Sequence, residues 1–454
     1  MFTLGFVGQI LIFVGNVYLA NVLGPLSFGI LAYAQTIVLY FTVIADGGLQ
    51  TIGTRRVAQP NEQVPVVLQE ILTLRILLSF AAYALLIPVS LFLIPSGEGQ
   101  SLTLVVGLSI FPLGFLLEWF FQGLERFAVV MVSRLVRGVT YLGLLAFFVR
   151  TNADVMQSAI VFVASYCLPA LTLLWLSRRW HGAQRSSGGQ KTVNLSLLLI
   201  AFPIGLSALL NQVNFNFGTL AVGIFHTHVA VGEYSAANRI ILFVESFIAT
   251  NVVVVLLPLL SRKFKESKSD FTEIIRYLVR MASMVALPIG IGVSLLAAGL
   301  LHVLYPVGYD DAIPVFQISI WAAMIVLVRS IYDTCLIAVE RQRQFLTSAL
   351  IGACINISLN VLFVPHYGIS GAAYASVGTE LSMFVYVFSV TSFHRIGDLL
   401  RAAARPLAAC AVMALFLLAL HLSLPLQILF GAVIYVFTLY VVGGFRELRF
   451  GGAI

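Results

Sequence analysis

The sequence predicts an all-helical membrane protein with about fourteen membrane-spanning segments, and three features lead to this fold class. First, 60% of the 454 residues are hydrophobic and only 10% are charged, whereas soluble domains average about 45–50% apolar and about 25% charged residues. Second, the apolar residues form runs of about 20, the length that a helix needs to cross about 30 Å of hydrocarbon. Third, these runs lack the alternation over about ten residues that is typical of β-barrel strands.

Short polar or Gly/Pro-rich breaks separate the predicted spans. The breaks include Leu23-Gly24-Pro25, Pro95-Ser96-Gly97 and Pro365-His366-Tyr367-Gly368. The first run has no basic region before it, so we interpret it as a span and not as a cleaved signal peptide. The spans are predicted at about residues 3–22, 30–53, 71–94, 102–121, 128–149, 155–176, 196–217, 232–257, 277–301, 313–337, 346–364, 370–392, 403–420 and 425–443.

Basic residues are distributed unevenly between the two sets of predicted loops. If the N-terminus is cytoplasmic, nearly all of the 26 Lys and Arg residues fall on the cytoplasmic side, including Arg75, Arg134 and Arg137. The opposite loops hold Arg150 together with several acidic residues. Cytoplasmic loops are enriched in Lys and Arg, so this asymmetry predicts that both termini lie in the cytoplasm.

The spans form two groups of six, followed by two more. We predict an N-terminal six-helix bundle at 1–178, a basic cytoplasmic linker at 179–195, a second bundle at 196–393, and two additional spans with a short tail at 394–454. A repeated spacing supports duplication, because Glu118 lies seven residues before Glu125-Arg126 and Asp333 lies seven before Glu340-Arg341. Since six is an even number, both repeats would have the same orientation in the membrane.

Several classes of function are disfavoured by what the sequence lacks. It contains no G-x-x-x-x-G-K-[ST] motif for nucleotide phosphates, no Cys/His cluster with zinc spacing, and no basic domain for nucleic acid. The outer loops are too short for a catalytic domain. The sequence therefore predicts a protein that is not an enzyme and has no catalytic residues, cofactor or metal site. The four cysteines lie in apolar runs and predict no disulfide framework.

Charged residues within the predicted spans are the first candidates for function. Each costs about 2.5–3.5 kcal/mol at mid-bilayer on insertion scales and usually faces a partner or a water-filled cavity. Arg329 and Asp333 share one helical face and form either a structural ion pair or part of a cavity wall. The carboxylates are candidates for proton or sodium coupling or for gating, with a structural role as the alternative. They are Asp333, Glu118, Glu245, Asp46 and Glu380.

Polar residues near the middle of the chain are candidates for substrate binding. Arg239 has no acid three or four residues away, and its guanidinium stays charged, so it needs an anionic ligand, water or an acid from another helix. The seventh span adds four amides, which favour a polar lumen, although amides also join membrane helices by hydrogen bonds. The predicted substrate-binding set is Arg239, Arg329, Asn211, Gln212, Asn214 and Asn216.

Motifs spread over nearly the whole chain resemble the polysaccharide-unit flippases, the O-antigen and exopolysaccharide translocases of bacteria. This family belongs to the multidrug/oligosaccharidyl-lipid/polysaccharide exporter superfamily. The motifs are Leu23-Gly24-Pro25-Leu26-Ser27-Phe28-Gly29, Asp46-Gly47-Gly48-Leu49, Arg55-Arg56-Val57-Ala58, Val231-Gly232-Glu233-Tyr234-Ser235-Ala236-Ala237-Asn238-Arg239, Leu257-Pro258-Leu259-Leu260-Ser261-Arg262, and Asn356-Ile357-Ser358-Leu359-Asn360 with Pro365, Gly368, Gly371-Ala372-Ala373 and Ala375-Ser376.

The resemblance implies two six-helix bundles around a central cavity in the bacterial inner membrane. It implies that an undecaprenyl-diphosphate-linked oligosaccharide moves from the cytoplasmic to the periplasmic leaflet, with Arg239 at a position suited to the diphosphate. Membrane lipid, H⁺ or Na⁺, a polysaccharide polymerase and a chain-length regulator are the other expected partners. The chain departs from relatives at Gly218-Thr219, where many have an Asp-Arg pair, and at Asn21, where some have an arginine. A multidrug/cation antiporter is the main alternative, and a membrane polysaccharide polymerase or ligase is a second.

Overall fold

The computed structural model describes residues 2–94, 97–181, 195–391, 396–420 and 422–444. Regular secondary structure within these ranges is entirely helical, which confirms the predicted fold class. The helices are α1 (Phe2–Asp46), α2 (Leu49–Val57), α3 (Val64–Leu93), α4 (Glu98–Gly107), α5 (Ile110–Gly114), α6 (Glu118–Gly123), α7 (Phe127–Phe148), α8 (Val155–His181), α9 (Ser196–Phe225), α10 (His228–Glu266), α11 (Lys268–Leu304), α12 (Ala312–Ala338), α13 (Gln342–Thr391), α14 (Ile396–Ala419) and α15 (Leu424–Val441).

Eleven of the described helical stretches are long and apolar enough to cross a membrane. Two of them, α1 with 45 residues and α13 with 50 residues, contain enough residues for about 68 Å and about 75 Å of straight helix at 1.5 Å per residue. That is about twice the thickness of the hydrocarbon core, so each is long enough to hold two spans. The chain is therefore a multi-pass membrane protein, while the count of fourteen spans stays a prediction.

Both long helices are interrupted at a glycine that the sequence places in a predicted break. Gly24 in α1 has φ +70° and Gly368 in α13 has φ +61°. Side chains disfavour this left-handed region, whereas glycine enters it at no steric cost. The glycines therefore separate the predicted first and second spans, and the eleventh and twelfth. In the remaining predicted break, Pro95 and Ser96 lie outside the described residues.

The chain consists of two compact units, residues Met1–Ser235 and Ala236–Ile454. The boundary between them falls within α10. Most of the predicted linker at 179–195 lies outside the described residues, as does the tail from residue 445 onward. The predicted domain limits stay predictions.

The first unit is held together by apolar packing and by close helix contact. Its core contains the fully buried side chains of Trp119, Phe120 and Phe121, packed against residues of α2, α3 and α8. Helices α1 and α7 approach closely at Gly8 and Gly138, where an added Cβ would lie 2.7 Å from a backbone carbonyl oxygen of the other helix. Small residues allow such contact between membrane helices. This packing places the polar residues of α7 beside α1.

The second unit has two apolar clusters. One surrounds the buried Tyr332 and joins α11, α12 and α13. The other joins α11, α14 and α15 around Met413 and Tyr435. The Tyr435 hydroxyl donates a hydrogen bond of 2.7 Å to the Met284 carbonyl, so the one polar atom of this side chain is satisfied within the cluster.

A turn that occurs once in each unit supports the predicted duplication. Glu125 and Glu340 have φ values of 58° and 61°, and among the described non-glycine residues only these two have a positive φ. In each turn the next residue, Arg126 or Arg341, donates its N–H over 2.8 Å to a carbonyl five residues earlier. The two turns thus match in sequence spacing and in backbone geometry.

Candidate transport site

Four charged side chains from three helices form a buried cluster in the second unit. Arg329 of α12 pairs with Asp333 on the same helix and with Glu380 of α13, at N–O distances of 2.5 Å and 2.9 Å. Glu245 of α10 is close enough to interact electrostatically with Arg329 and Glu380. All four residues are between 6% and 8% exposed. We call this group the Arg329 cluster.

The Arg329 cluster contains three carboxyl groups and one guanidinium. If every group were ionised, the cluster would carry two excess negative charges in a setting nearly closed to water. The desolvation penalty for a buried ion amounts to several kcal/mol unless a partner compensates it. One Asp333 oxygen, Oδ1, is buried and has no hydrogen-bond partner among the described atoms. The arrangement therefore favours uptake of a proton or another cation.

A hydrogen-bonded amide pair lies next to the cluster along the chain. Asn356 donates a hydrogen bond of 3.2 Å to the hydroxyl of Thr379, the residue before Glu380. Asn360 donates to the backbone and side-chain oxygens of Asn356, at 2.9 Å and 3.1 Å. The hydrogen bond between Asn356 and Thr379 joins the two parts of α13 on either side of Gly368.

Arg239 lies in α10 and is partly exposed. It interacts electrostatically with Tyr305, whose hydroxyl donates a hydrogen bond of 3.3 Å to the Ala236 carbonyl. The Tyr305 side chain is buried, and its ring centroid lies 5.1 Å from that of Tyr309. The buried Tyr305 side chain thus contacts the turn of α10 that contains Arg239.

The four predicted amides lie in α9, in the first unit. Asn211 is exposed, and Gln212, Asn214 and Asn216 are partly buried. Asn216 donates a hydrogen bond of 2.8 Å to the Gln212 side-chain oxygen, and Tyr40 of α1 donates one of 3.5 Å to the Gln212 backbone carbonyl. Asn216 and Gln212 are therefore hydrogen-bonded within α9, whereas the Asn211 side chain is exposed.

Asp46 forms an ion pair with Arg75 of α3. Its Oδ1 lies 3.4 Å from Nε of Arg75, which is 2% exposed and also donates to the carbonyls of Leu113 and Leu116 at 2.9 Å and 3.0 Å. Arg75 lies inside α3, as the predicted span at 71–94 requires, and its assignment to the cytoplasmic side stays a prediction. This ion pair joins the end of α1 to α3 and to the break between α5 and α6.

Glu118 also pairs with an arginine from the interior of a helix. Its carboxylate lies 3.0 Å from Nε of Arg134 in α7, with side-chain exposures of 18% and 39%. Arg137, one turn further along α7, lies over the ring of Tyr166 in α8 and donates a hydrogen bond to its hydroxyl.

Arg134 and Arg137 lie within the predicted span at 128–149, and their assignment to the cytoplasmic side stays a prediction. Each is flanked by apolar residues at helical spacing. That local pattern agrees with their position inside α7.

The second unit also contains an apolar groove of about 400 Å³ between α11, α14 and α15. Its walls include Val293, Leu296, Met413, Leu417 and Tyr435. Among the described residues, no group of three or more His, Cys, Asp or Glu side chains is arranged to hold a metal ion.

The fold is shared with solved structures of membrane transporters and flippases. A solved structure of the lipid II flippase MurJ, in an inward closed conformation, superposes with a TM-score of 0.79 at 16% identity and covers 98% of both chains. An inward-facing multidrug resistance MATE family transporter of the MOP superfamily gives a TM-score of 0.65 at 14% identity, covering 87% of this chain and 95% of the other. At these identities the likeness shows the fold alone.

Sequence comparison then gives the family. The model of the polysaccharide biosynthesis protein family matches residues 1–264, so the chain belongs to that family. A proposed O-antigen transporter of Escherichia coli (strain K12) is 21% identical over 385 residues, which are 80% of this chain and 88% of that protein. The family resemblance found in the sequence is confirmed.

Proposed function

We propose that this protein is a flippase that moves undecaprenyl-diphosphate-linked oligosaccharide units from the cytoplasmic to the periplasmic leaflet of the bacterial inner membrane. The observation that carries the proposal is a fold shared along 98% of the chain with a flippase named for the lipid II that it moves. Membership of the polysaccharide biosynthesis family supports a saccharide as the cargo. No catalytic step is proposed, and the relatives are named as transporters or flippases.

Arg239 and the α9 amides are the proposed contacts for the head group of the substrate. An arginine fork can bind two phosphate oxygens at once, and such charge-assisted hydrogen bonds are stronger than neutral ones. Amide side chains both donate and accept hydrogen bonds, which suits sugar hydroxyls. Of the predicted substrate set, Arg329 is better assigned to ion coupling, because Asp333 and Glu380 already occupy its guanidinium.

The Arg329 cluster is the proposed site of ion coupling, with a proton as the coupling ion. Adding one proton to three carboxyl groups around one guanidinium reduces the excess negative charge that must stay buried. The ion can drive transport only if its affinity differs between the two conformations. A change in contact between α10, α12 and α13 would alter the charges around each carboxyl group and so supply this difference.

The apolar groove is the proposed position of the polyprenyl chain. It is lined almost entirely by apolar side chains of membrane-spanning helices, so an apolar chain can enter it from the surrounding lipid with little burial of polar groups. Head group and lipid tail would then bind to separate parts of the protein, one polar and one apolar.

Translocation in proteoliposomes tests the proposal and the role of Arg239. Purified protein should move a lipid-linked oligosaccharide between leaflets, and Arg239→Ala should lower the rate by about tenfold or more, the effect of losing a charged hydrogen bond of about 1.5–3 kcal/mol. Arg239→Lys keeps the charge and should retain part of the rate. Arg150→Gln, in an exposed loop, is the matched control. An unchanged rate in Arg239→Ala would contradict the role of this residue.

A multidrug/cation antiporter is the second candidate, favoured by the fold shared with the MATE family transporter. The negative charge of the Arg329 cluster would suit a cationic drug. Efflux of a cationic dye from vesicles, with no movement of lipid-linked oligosaccharide, would establish this candidate in place of the flippase.

A further inference from the structure

Arg137 differs electrostatically from three other arginines within candidate membrane helices. Arg75, Arg134 and Arg329 each have a carboxylate oxygen within 3.4 Å of the guanidinium. No carboxylate of the described residues lies within 4 Å of Arg137. Its partner is the aromatic side chain of Tyr166, with the guanidinium carbon 3.9 Å from the ring centroid. The positive charge of Arg137 is therefore left without a counter-charge in the described part of the chain.

The position of Arg137 makes this lack of a counter-charge costly. It is the eleventh residue of the 22-residue helix α7, about 15 Å from the start of a candidate span. A charge at the centre of a membrane helix costs about 2.5–3.5 kcal/mol and usually faces a partner or a water-filled cavity. Tyr166 offsets only part of this cost, because a cation–π contact contributes about 0.5–2 kcal/mol.

The hydrogen bonds of Arg137 are also incomplete. A guanidinium has five N–H donors, and the described contacts of Arg137 contain one hydrogen bond, to the Tyr166 hydroxyl. Its Nε is buried without a partner among the described atoms, although an unmatched buried donor costs about 1–3 kcal/mol. The side chain as a whole is partly exposed, so a ligand can reach it.

The residues around Arg137 hold it in place and add neutral polar groups. The Phe162 ring packs edge-on against Tyr166 with centroids 5.4 Å apart. This contact restrains the Tyr166 ring, over which the Arg137 guanidinium lies. Tyr141, one turn after Arg137 on α7, donates a hydrogen bond of 3.2 Å to the side-chain oxygen of Asn16 in α1. The site therefore combines an unneutralised cation, aromatic rings and an amide.

We infer that Arg137, oriented by Tyr166, binds an oxyanion of the translocated lipid-linked saccharide. An anionic ligand would supply both the missing counter-charge and the missing acceptors, and the guanidinium fork fits phosphate and carboxylate equally well. The oxyanion is either the diphosphate common to all such lipids or a carboxylate on an acidic sugar. This inference rests on the proposed function and adds a binding residue in the first unit.

Ligand-induced thermal stabilisation of the purified protein in nanodiscs tests the inference. The probes are undecaprenyl diphosphate alone, the same lipid with a neutral oligosaccharide, and the same lipid with an oligosaccharide containing a uronic acid. The variants are Arg137→Gln, Arg137→Lys and the exposed-loop control Arg150→Gln. A ligand stabilises a protein according to its concentration relative to Kd, so the shift in Tm over a range of lipid concentrations gives the change in affinity.

Arg137→Gln should bind the relevant lipid about tenfold or more weakly, and Arg137→Lys should fall between it and the wild type. Loss of stabilisation by undecaprenyl diphosphate itself identifies the diphosphate as the oxyanion. Loss confined to the uronic acid probe identifies the sugar carboxylate. Without ligand, Arg137→Gln should have an unchanged or higher Tm, because an uncompensated charge has been removed from the membrane.

The inference would be overturned if Arg137→Gln bound all three lipids with wild-type affinity and had a lower Tm without ligand. Arg137 would then have a structural role. Wild-type affinity at an unchanged Tm would overturn it as well. Translocation by the wild type separates this failure from failure of the proposed function. Wild-type protein that neither binds nor moves any of the lipids overturns both, whereas normal translocation with unaffected Arg137→Gln overturns only the binding role of Arg137.

Discussion

Glu118 in the first unit and Asp333 in the second occupy matching positions before matching turns, yet they have different electrostatic surroundings. Glu118 pairs with one arginine, Arg134, and both side chains are partly exposed. Asp333 shares a single arginine with Glu380, and Glu245 adds a third acid nearby. The first position is a neutral pair, and the second belongs to a buried cluster with excess negative charge.

The difference arises from where each arginine is located. Arg134 comes from the following helix, α7, whereas Arg329 lies one turn before Asp333 on α12 itself. Two acids that precede the same kind of backbone turn can therefore have different surroundings. Glu118 lies in an ion pair, and Asp333 lies in a cluster suited to ion uptake. We propose a division of roles between these two acids, with a structural ion pair at Glu118 and ion coupling at Asp333.

The largest expected effect comes from removing the only guanidinium of the Arg329 cluster. Arg329→Gln leaves three buried carboxyl groups without their cation and should lower the free energy of unfolding by about 3–5 kcal/mol. Unfolding in detergent micelles, followed by denaturant or heat, measures this. The loss should shrink at acidic pH, because protonated carboxyl groups no longer repel one another. Stability equal to that of Arg150→Gln would show that the cluster is not a coupled electrostatic unit.

A smaller effect should separate the two matching acids functionally. Asp333→Asn should lower proton-gradient-driven translocation by about tenfold or more, since a charged hydrogen bond contributes about 1.5–3 kcal/mol. Glu118→Gln should keep gradient dependence and lose about fivefold or less, because a partly exposed ion pair contributes about 0.2–1 kcal/mol. Translocation rates with and without an imposed gradient measure both variants. If the two variants respond alike, the proposed division of roles fails.

The smallest effect is expected at an ion pair outside the membrane-spanning segments. Hydrogen bonding from Arg56, with an N–O distance of 2.8 Å, lowers the pKa of the Glu62 carboxyl group. Because the pKa of Glu62 is lower in the folded state, the ion pair stabilises the folded protein at pH values above the unfolded pKa of about 4.3. This contribution is lost as the pH falls through the folded pKa.

Glu62→Gln should therefore cost about 0–1 kcal/mol at pH 7, the range for exposed ion pairs. The difference from wild type should shrink below about pH 4 and vanish below the folded pKa of Glu62. Unfolding curves at the two pH values measure the change, and a penalty of several kcal/mol at Glu62 would contradict the contrast between exposed and buried pairs.

Much of the architecture could be predicted from local sequence, while the ion pairs between different helices could not. The breaks at Gly24 and Gly368 follow from Gly and Pro near polar residues within apolar runs. The partnership of Arg329 with Asp333 follows from helical spacing. By contrast, the contacts of Arg329 with Glu380 and of Glu118 with Arg134 join different helices, and spacing along the chain carries no information about them.

Composition and hydropathy by themselves determined that this chain is an all-helical membrane protein, because uninterrupted apolar segments of this length are stable only as helices within lipid. Short motifs determined its family. Only the tertiary structure decided which buried charges neutralise one another, because distances of about 3 Å between helices depend on how the helices pack. That packing pairs Arg75 and Arg134 with carboxylates and brings three carboxyl groups close to Arg329. It places Arg137 against the aromatic ring of Tyr166.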